Sequence, residues 1–209
     1  MITLYYFHPG CSMAAHIALE ESGIPYESVS VDLKNDAERS RLLALNPKGQ
    51  VPTLVVDGEP LSESIAILSL VADLAPKGRL ISEEAFERAR CLSLLAWFSS
   101  TVHIAFRQSW RPERFTGEAV GHPGIRAHGR DTYWKAMCAI DERLADRDYL
   151  MGDTFTIADT YPVVFYNWGL IADHPMASLP HYSAFIERMI ARPAVRTILA
   201  REGCQLLKP

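Results

Sequence analysis

The chain has 209 residues, 48% of them hydrophobic and 22% charged, an ordinary globular composition that can bury a core in one or two domains. A formal net charge of −4 without any long Lys/Arg run gives no electrostatic footprint for nucleic acid or an anionic membrane surface, so neither partner is expected. The opening MITLYYFHPG has no basic, apolar secretory leader, no later segment is expected to span a bilayer, and Cys11, Cys91, Cys138 and Cys204 form neither a disulfide framework nor a metal-ligand pattern, so a reducing cytoplasm without a bound metal is expected.

Residues 2–7 are a β-rich apolar and aromatic run, His8-Pro9-Gly10 reads as a turn, and residues 13–22 favour a helix that Gly23 and Pro25 end. Residues 26–32 alternate as a second strand, residues 38–45 have helical character, and Asn46-Pro47-Lys48-Gly49 form a loop, so a βαβ unit opens the chain. Thr53-Leu54-Val55-Val56 and Glu59-Pro60-Leu61 flank Asp57-Gly58, a pair suited to a tight hairpin. Pro60 cannot donate to a ladder, which puts the second hairpin strand at a sheet edge. Ser62 and Glu63-Ser64 then precede an apolar-periodic helix over residues 65–74, and the order is βαβαββα.

Pro76-Lys77-Gly78-Arg79 breaks the pattern and marks a linker at about residues 76–83. Beyond it the helical period predicts helices over residues 83–110, 125–146, 157–172, 180–191 and 194–202, with no strand signal. Thr156-Ile157-Ala158-Asp159 has capping-box spacing, which makes Asp159 a folding residue and not a catalytic acid. The fold class is therefore α/β plus all-α, with domains over residues 1–77 and 84–209.

Three places carry chemistry. Cys11 stands between a strand-ending turn and a helix, where free amides and the helix dipole favour a thiolate. No cysteine follows at the fourth position of a Cys-x-x-Cys motif, so Cys11 acts on an external thiol, forms a mixed disulfide, or yields to Ser12 as a donor to a bound sulfur. Gln50-Val51-Pro52-Thr53 leaves the Val51 backbone free at a strand entry, ready to pair with a peptide, and Glu63-Ser64 offers a carboxylate, a hydroxyl and helix-start amides to an amino-acid-like end.

Taken together, Tyr5-Tyr6-Phe7-His8-Pro9-Gly10-Cys11-Ser12-Met13-Ala14, Asn46-Pro47-Lys48-Gly49-Gln50-Val51-Pro52-Thr53-Leu54 and Leu61-Ser62-Glu63-Ser64-Ile65-Ala66 resemble the bacterial glutathione transferases, especially the beta class. Phe155-Thr156-Ile157-Ala158-Asp159 looks like that family's C-terminal capping motif, so the resemblance spans essentially the whole chain. It implies a thioredoxin-like N-terminal domain, a C-terminal helical bundle, a homodimer, no tightly bound cofactor and glutathione as co-substrate with a small electrophile. It further implies a cis peptide before Pro52, glutathione contacts at Gly10, Cys11, Lys34, Gln50, Val51, Pro52, Glu63 and Ser64, and His103 reaching the site from the first long helix of the bundle. Tyr6 is not expected to be the activating hydroxyl. The chain departs from the family pattern at Ile104, where a lysine is common, and at Ala96, where an asparagine is common.

Phe106 and Trp110 with Arg107, beside Trp97 and Arg111, form a candidate apolar pocket with a cationic edge. Lowering a thiol from about 8.5 to about 6.5 raises its thiolate roughly 25-fold at pH 7, while a Brønsted slope of about 0.4–0.5 takes back roughly 6- to 10-fold. Positioning of the electrophile must then supply most of any acceleration. Two other readings stand beside a conjugating transferase: a non-catalytic glutathione- or protein-binding module, and a glutathione-dependent isomerase of a dienoic acid. Against the isomerase, Gly10-Cys11-Ser12 stands where that group usually shows Ser-Ser-Cys.

Overall fold

A computed structural model describes residues 1–75 and 80–207; the linker turn read at residues 76–79 lies outside the described residues. The first half is a four-stranded sheet of β1 (Ile2–Tyr6), β2 (Glu27–Ser30), β3 (Thr53–Val56) and β4 (Glu59–Ser62) in the order β2-β1-β3-β4. β1 runs parallel to β2 and antiparallel to β3, and β3 to β4, with Leu4 opposite Leu54 and Val55 opposite Pro60. Pro60 thus sits on an edge strand, where its missing N–H leaves no central ladder donor unmade. Asp57 and Gly58 both take positive φ, 51° and 91°, as the tight hairpin requires.

Three helices complete this half: α1 (Ser12–Ser22), α2 (Asp36–Leu45) and α3 (Ser64–Leu74). Asn35 caps α2 by accepting from the amides of Ala37 and Glu38. α1 is the central element. Met13, Ala14, Ala15, Ile17, Ala18 and Leu19 are all buried, because the helix packs on β1 and α3 and also on two helices of the second half. A helix with no polar stripe is stable only when it is covered on every side.

The second half comprises α4 (Ala85–Trp97), a π-helical turn over Phe98–Val102, α5 (His103–Trp110), α6 (His122–Arg143), α7 (Thr160–Ile171), α8 (Pro180–Ala191) and α9 (Pro193–Arg201). α7 and α9 supply the outer cover of α1. The polar side chain at the middle of α1, His16, is buried with its Nδ1 2.8 Å from Oε1 of Glu202, just past α9. Arg192 donates to both oxygens of Glu21 at 2.6 and 2.8 Å, so the two halves share polar as well as apolar contacts.

Residues 85–110 form one continuous run of 26 helical residues with an 18-residue window of mean hydropathy 1.2. By length and composition alone such a run could cross a bilayer, a test that a buried core helix also passes. Ser93, Ser99, Ser100, Thr101 and His103 interrupt its apolar residues. In the fold its Cys91, Leu95, Phe98, Val102 and Ala105 are buried in the protein core. Gly129 of α6 meets this run at α5: an added Cβ would lie 2.6 Å from Ser109 N and 2.7 Å from the Ala105 carbonyl, so only glycine permits the approach.

The capping box forms as read. Thr156 N–H donates to Oδ2 of Asp159 at 2.7 Å, and the Thr156 hydroxyl accepts from Ala158 N at 3.3 Å. Asp159 also accepts from Leu150 N at 2.8 Å, tying the preceding loop to α7. Burial pushes its carboxyl up to about 6 while these donors hold it down. Asp159→Ala leaves two backbone N–H groups without acceptors and should destabilise the protein by about 2–5 kcal/mol. Because the folded pKa is raised above the unfolded value of about 3.9, the carboxyl's contribution is full below pH 4 and is lost as pH rises through 6. Urea unfolding of both proteins should therefore give a larger difference at pH 4.5 than at pH 7.5, and equal midpoints at both would exclude this role.

Candidate active site

A cavity of about 470 Å3 opens where the N-terminus of α1, the loop before β3 and the start of α3 face α5 and one side of α7. Cys11 lies at its inner end as the residue before α1, with no side-chain cap bond to the helix amides. Its Sγ donates instead to the Val51 carbonyl, 3.6 Å away. Burial pushes the thiol up to about 11, although its own backbone amide, the Arg107 charge and Ser64 all favour the thiolate. This runs against the expectation of a favoured thiolate: the half-buried sulfur faces a carbonyl acceptor at the cavity wall, and desolvation outweighs the helix start.

The turn before Cys11 is built tightly. A Cβ on Gly10 would lie 2.4 Å from the Phe7 carbonyl, and Trp168 of α7 reaches across to donate its indole N–H to the Pro9 carbonyl at 3.1 Å. Ser12 is buried away from the cavity; its hydroxyl donates to Phe7 O and accepts from Phe7 N, both at 3.1 Å. The structure therefore engages Ser12 in closing the turn.

Across the cavity, Gln50, Val51 and Pro52 form the edge before β3, and the peptide bonds before Pro52 and before Pro9 are both cis. The Val51 N–H has no backbone partner among the described residues. Glu63 precedes α3 with φ 74° and ψ 116° and caps no amide, a non-glycine backbone that costs about 1–3 kcal/mol and concentrates at ligand clamps. Its carboxylate reaches out to Lys48 Nζ at 2.6 Å, both side chains more than half exposed. Ser64 and the free amides of the first turn of α3 face the same space.

The opposite wall comes from α5. His103, Phe106, Arg107 and Trp110 all line the cavity. Burial, and secondarily the Arg107 charge, push the His103 imidazole down to about 4, so it is neutral at neutral pH. Phe106 stacks on Trp168 at 4.3 Å and 15°, and Trp110 continues the stack at 5.9 Å and 12°. The π-helical turn directly before α5 sets the rotation at which His103 and Arg107 face inward, a placement common at functional sites.

Among the residues read from the sequence, Cys11, Gln50, Val51, Pro52, Glu63, Ser64, His103, Phe106, Arg107 and Trp110 therefore meet in one cavity. Lys34 does not: it is exposed on the turn before α2, and its neighbour Leu33 lines the cavity instead. Trp97 packs on Phe98 at 5.3 Å, while Arg111 does line the cavity. Tyr6 is buried against His16. Sequence reading missed Tyr161, Trp168 and Arg114. The first two lie seven residues apart on one face of α7, a spacing that could have paired them.

Comparisons with known proteins give the family of the chain. Residues 2–73 match the family model described as glutathione S-transferase, N-terminal domain, and residues 131–193 match glutathione S-transferase, C-terminal domain. The chain is similar to glutathione S-transferase GstA of Escherichia coli O157:H7, 35% identical over 96% of this chain and 98% of the relative. Among solved structures, a glutathione transferase homolog from sulfitobacter with bound glutathione superposes with a TM-score of 0.89 at 30% identity, covering 96% of this chain and 98% of that one. A bacterial beta class glutathione S-transferase of Sphingomonas chungbukensis superposes with a TM-score of 0.84 at 31% identity, over 96% and 98% of the two chains.

The raised thiol has a direct chemical consequence. With a pKa of about 11, only about one Cys11 in ten thousand is ionised at pH 7, against roughly 3% of an ordinary thiol. Iodoacetamide should therefore label Cys11 at pH 7.5 more than tenfold slower than it labels a free thiol, with a rate that climbs about tenfold per pH unit toward 11. Mass spectrometry of the Cys11 peptide measures this; labelling as fast as a free thiol at pH 7.5 would contradict the assignment.

Proposed function

We propose that this chain, which belongs to the glutathione S-transferase family, joins the thiol of glutathione to small hydrophobic electrophiles in the cavity between α3 and α5. Glutathione is the co-substrate of this bacterial, beta-class-like transferase. The observation that carries the residue assignments is the free Val51 N–H and its neighbouring carbonyl, which face the helix start at Glu63-Ser64 across the cavity from a stacked aromatic wall. An extended peptide can pair with such a backbone as an added strand.

On this reading Val51 pairs with the cysteinyl unit, Gln50 and Pro52 shape the edge beside it, and Gly10 keeps the turn close. The γ-glutamyl end lies at α3: its carboxylate takes the Ser64 hydroxyl and the first-turn amides, and its ammonium takes Glu63 from Lys48. An exposed pair such as Glu63 with Lys48 is worth about 0–1 kcal/mol, so exchanging it costs little. Ser12 and Lys34 take no part in this reading, since neither lines the cavity.

In the reaction the glutathione thiol ionises and its proton passes to solvent. The sulfur attacks the electrophilic carbon, the C–S bond forms, and the leaving group departs with its electron pair. Arg107 favours negative charge at the inner end of the cavity. Neutral His103 with Phe106 and Trp168 keeps water from the reacting atoms. The same site supports a slower exchange with glutathione disulfide, in which the Cys11 thiolate displaces one glutathione thiolate and leaves a mixed disulfide. The raised Cys11 thiol limits that activity at neutral pH.

We assign residues 1–77 as the glutathione domain and residues 84–209 as the electrophile domain. Four cysteines far apart in the sequence, without the spacing of a disulfide framework, support a reducing cytoplasm. Exposed Phe86 at 69% and Leu74 at 44%, where Arg88 of α4 holds Asp73 of α3, support a two-fold homodimer through this junction. Light scattering should give twice the 23.4 kDa chain mass, and Phe86→Ser should shift it toward the monomer; a monomeric parent would end this assignment.

Two substitutions separate binding from sulfur chemistry. Glu63→Ala should weaken glutathione by about 1.5–3 kcal/mol in calorimetry. Cys11→Ala should abolish the mixed disulfide seen by mass spectrometry while leaving the glutathione dissociation constant nearly unchanged. A Cys11→Ala protein that no longer binds glutathione would refute this division, as would an unaltered affinity in Glu63→Ala.

A further inference from the structure

Arg107, Arg111 and Arg114 stand three and four residues apart along α5 and the short turn that follows it, and all three line the cavity. Arg111 has Glu113 3.5 Å away, both about half exposed. Arg107 and Arg114 have no ion-pair partner among the described residues. Among the described residues the only acidic side chain that lines the cavity is Glu63, already held by Lys48. A chain of net charge −4 thus presents a local excess of guanidinium groups on one wall. Like charges one turn apart repel each other by a few tenths of a kcal/mol, and two of the three pair with no carboxylate among the described residues.

Beside them stands a flat apolar surface. Trp168, Phe106 and Trp110 are nearly parallel, and Trp110 at the outer end of the stack is 48% exposed. Its ring is open toward the same space as Arg111 and Arg114. A planar ring lying on Trp110 would place an acidic substituent within reach of guanidinium forks, which match carboxylates and sulfonates in geometry as well as charge.

We infer that the electrophile half of this cavity is built for anionic aromatic electrophiles, with the ring on the Phe106–Trp110 stack and the acid group at Arg111 and Arg114. The inference rests on the proposed transferase reading and deepens it by naming the substrate class. Arg107 is set apart, because it also acts on the sulfur end of the cavity.

The test uses a pair of electrophiles with the same reaction and different charge: 4-chloro-3,5-dinitrobenzoate and 1-chloro-2,4-dinitrobenzene. In both the glutathione sulfur bonds to the chlorine-bearing carbon, the C–Cl bond breaks, chloride leaves with the electron pair, and the thiol proton goes to solvent. Arg111→Gln with Arg114→Gln should lower kcat/KM for the benzoate by roughly tenfold or more relative to the neutral compound, the size expected for two partly exposed charge contacts. KM for glutathione should stay unchanged, which separates these arginines from the carboxylates of glutathione itself. Equal losses on both electrophiles, or a shift confined to KM for glutathione, would overturn the inference.

An equilibrium arm is independent of turnover: fluorescence titration with 8-anilinonaphthalene-1-sulfonate and with uncharged N-phenyl-1-naphthylamine. The parent protein should bind the sulfonate more tightly, and the double variant should lose that preference while retaining the neutral dye. If neither chloro compound turns over but the dye preference behaves this way, the transferase reading fails and the anion subsite stands. A parent protein with no preference for the sulfonate, or a preference that survives in the double variant, overturns the subsite whatever the turnover.

Discussion

Helix α1 has no face left for water, and the rest of the molecule is arranged around that constraint. Its Met13, Ile17 and Leu19 are covered partly by the sheet and α3 and partly by α7 and α9, so neither half of the chain buries the helix alone. Burying one Leu, Ile or Met side chain is worth about 1.5–3 kcal/mol, which makes the contact between the halves an extension of one core. The cavity is the gap left at one end of this packed interface. Because Cys11 precedes α1 directly, the sulfur position is fixed by the burial of a whole helix and not by a loop.

Two opposing effects meet at that sulfur. A helix start favours an anion, by about 0.3–1 kcal/mol at exposed sites, and desolvation of a buried thiol disfavours one by more. The outcome depends on where the side chain points. Cys11 turns to the Val51 carbonyl, which accepts only from a neutral S–H. A peptide that pairs with Val51, as proposed for glutathione, would compete for this same carbonyl and so would couple its binding to the state of Cys11 through one oxygen atom.

The topology was readable from local signals because each was short in range: Asp57-Gly58 for the hairpin, Pro60 for the edge, Gly23 for the end of α1, Thr156 and Asp159 for the start of α7. The cavity lining was readable where a residue's placement follows from its own backbone position, as with Val51 at a strand entry and Glu63 at a helix start. It was not readable where the role depends on a distant partner. Ser12 closes onto Phe7, Trp168 reaches Pro9 across 159 residues of sequence, and the Val51 carbonyl faces Cys11 across 40. Helical periodicity likewise located the long run through α5 but did not contain the π-helical turn that sets which of its residues look inward.

The cavity combines a fixed inner end with an exchangeable outer one. At the inner end Trp168 bonds to Pro9, stacks on Phe106 and meets His103 edge-on at 5.1 Å. The wall that would hold an electrophile and the turn that positions the sulfur are therefore joined through one side chain. At the outer end the polar groups are exposed and weakly committed: Glu63 to Lys48, Arg111 to Glu113, and Arg114 to no carboxylate among the described residues. Effective molarities depend on holding reacting atoms to within about an ångström, whereas exposed ion pairs exchange at a cost of about 1 kcal/mol or less. Ile104, on the wall beside Arg107, fits the same division: no cation stands at that position, and the charge one turn further along α5 faces both the sulfur end and the rim.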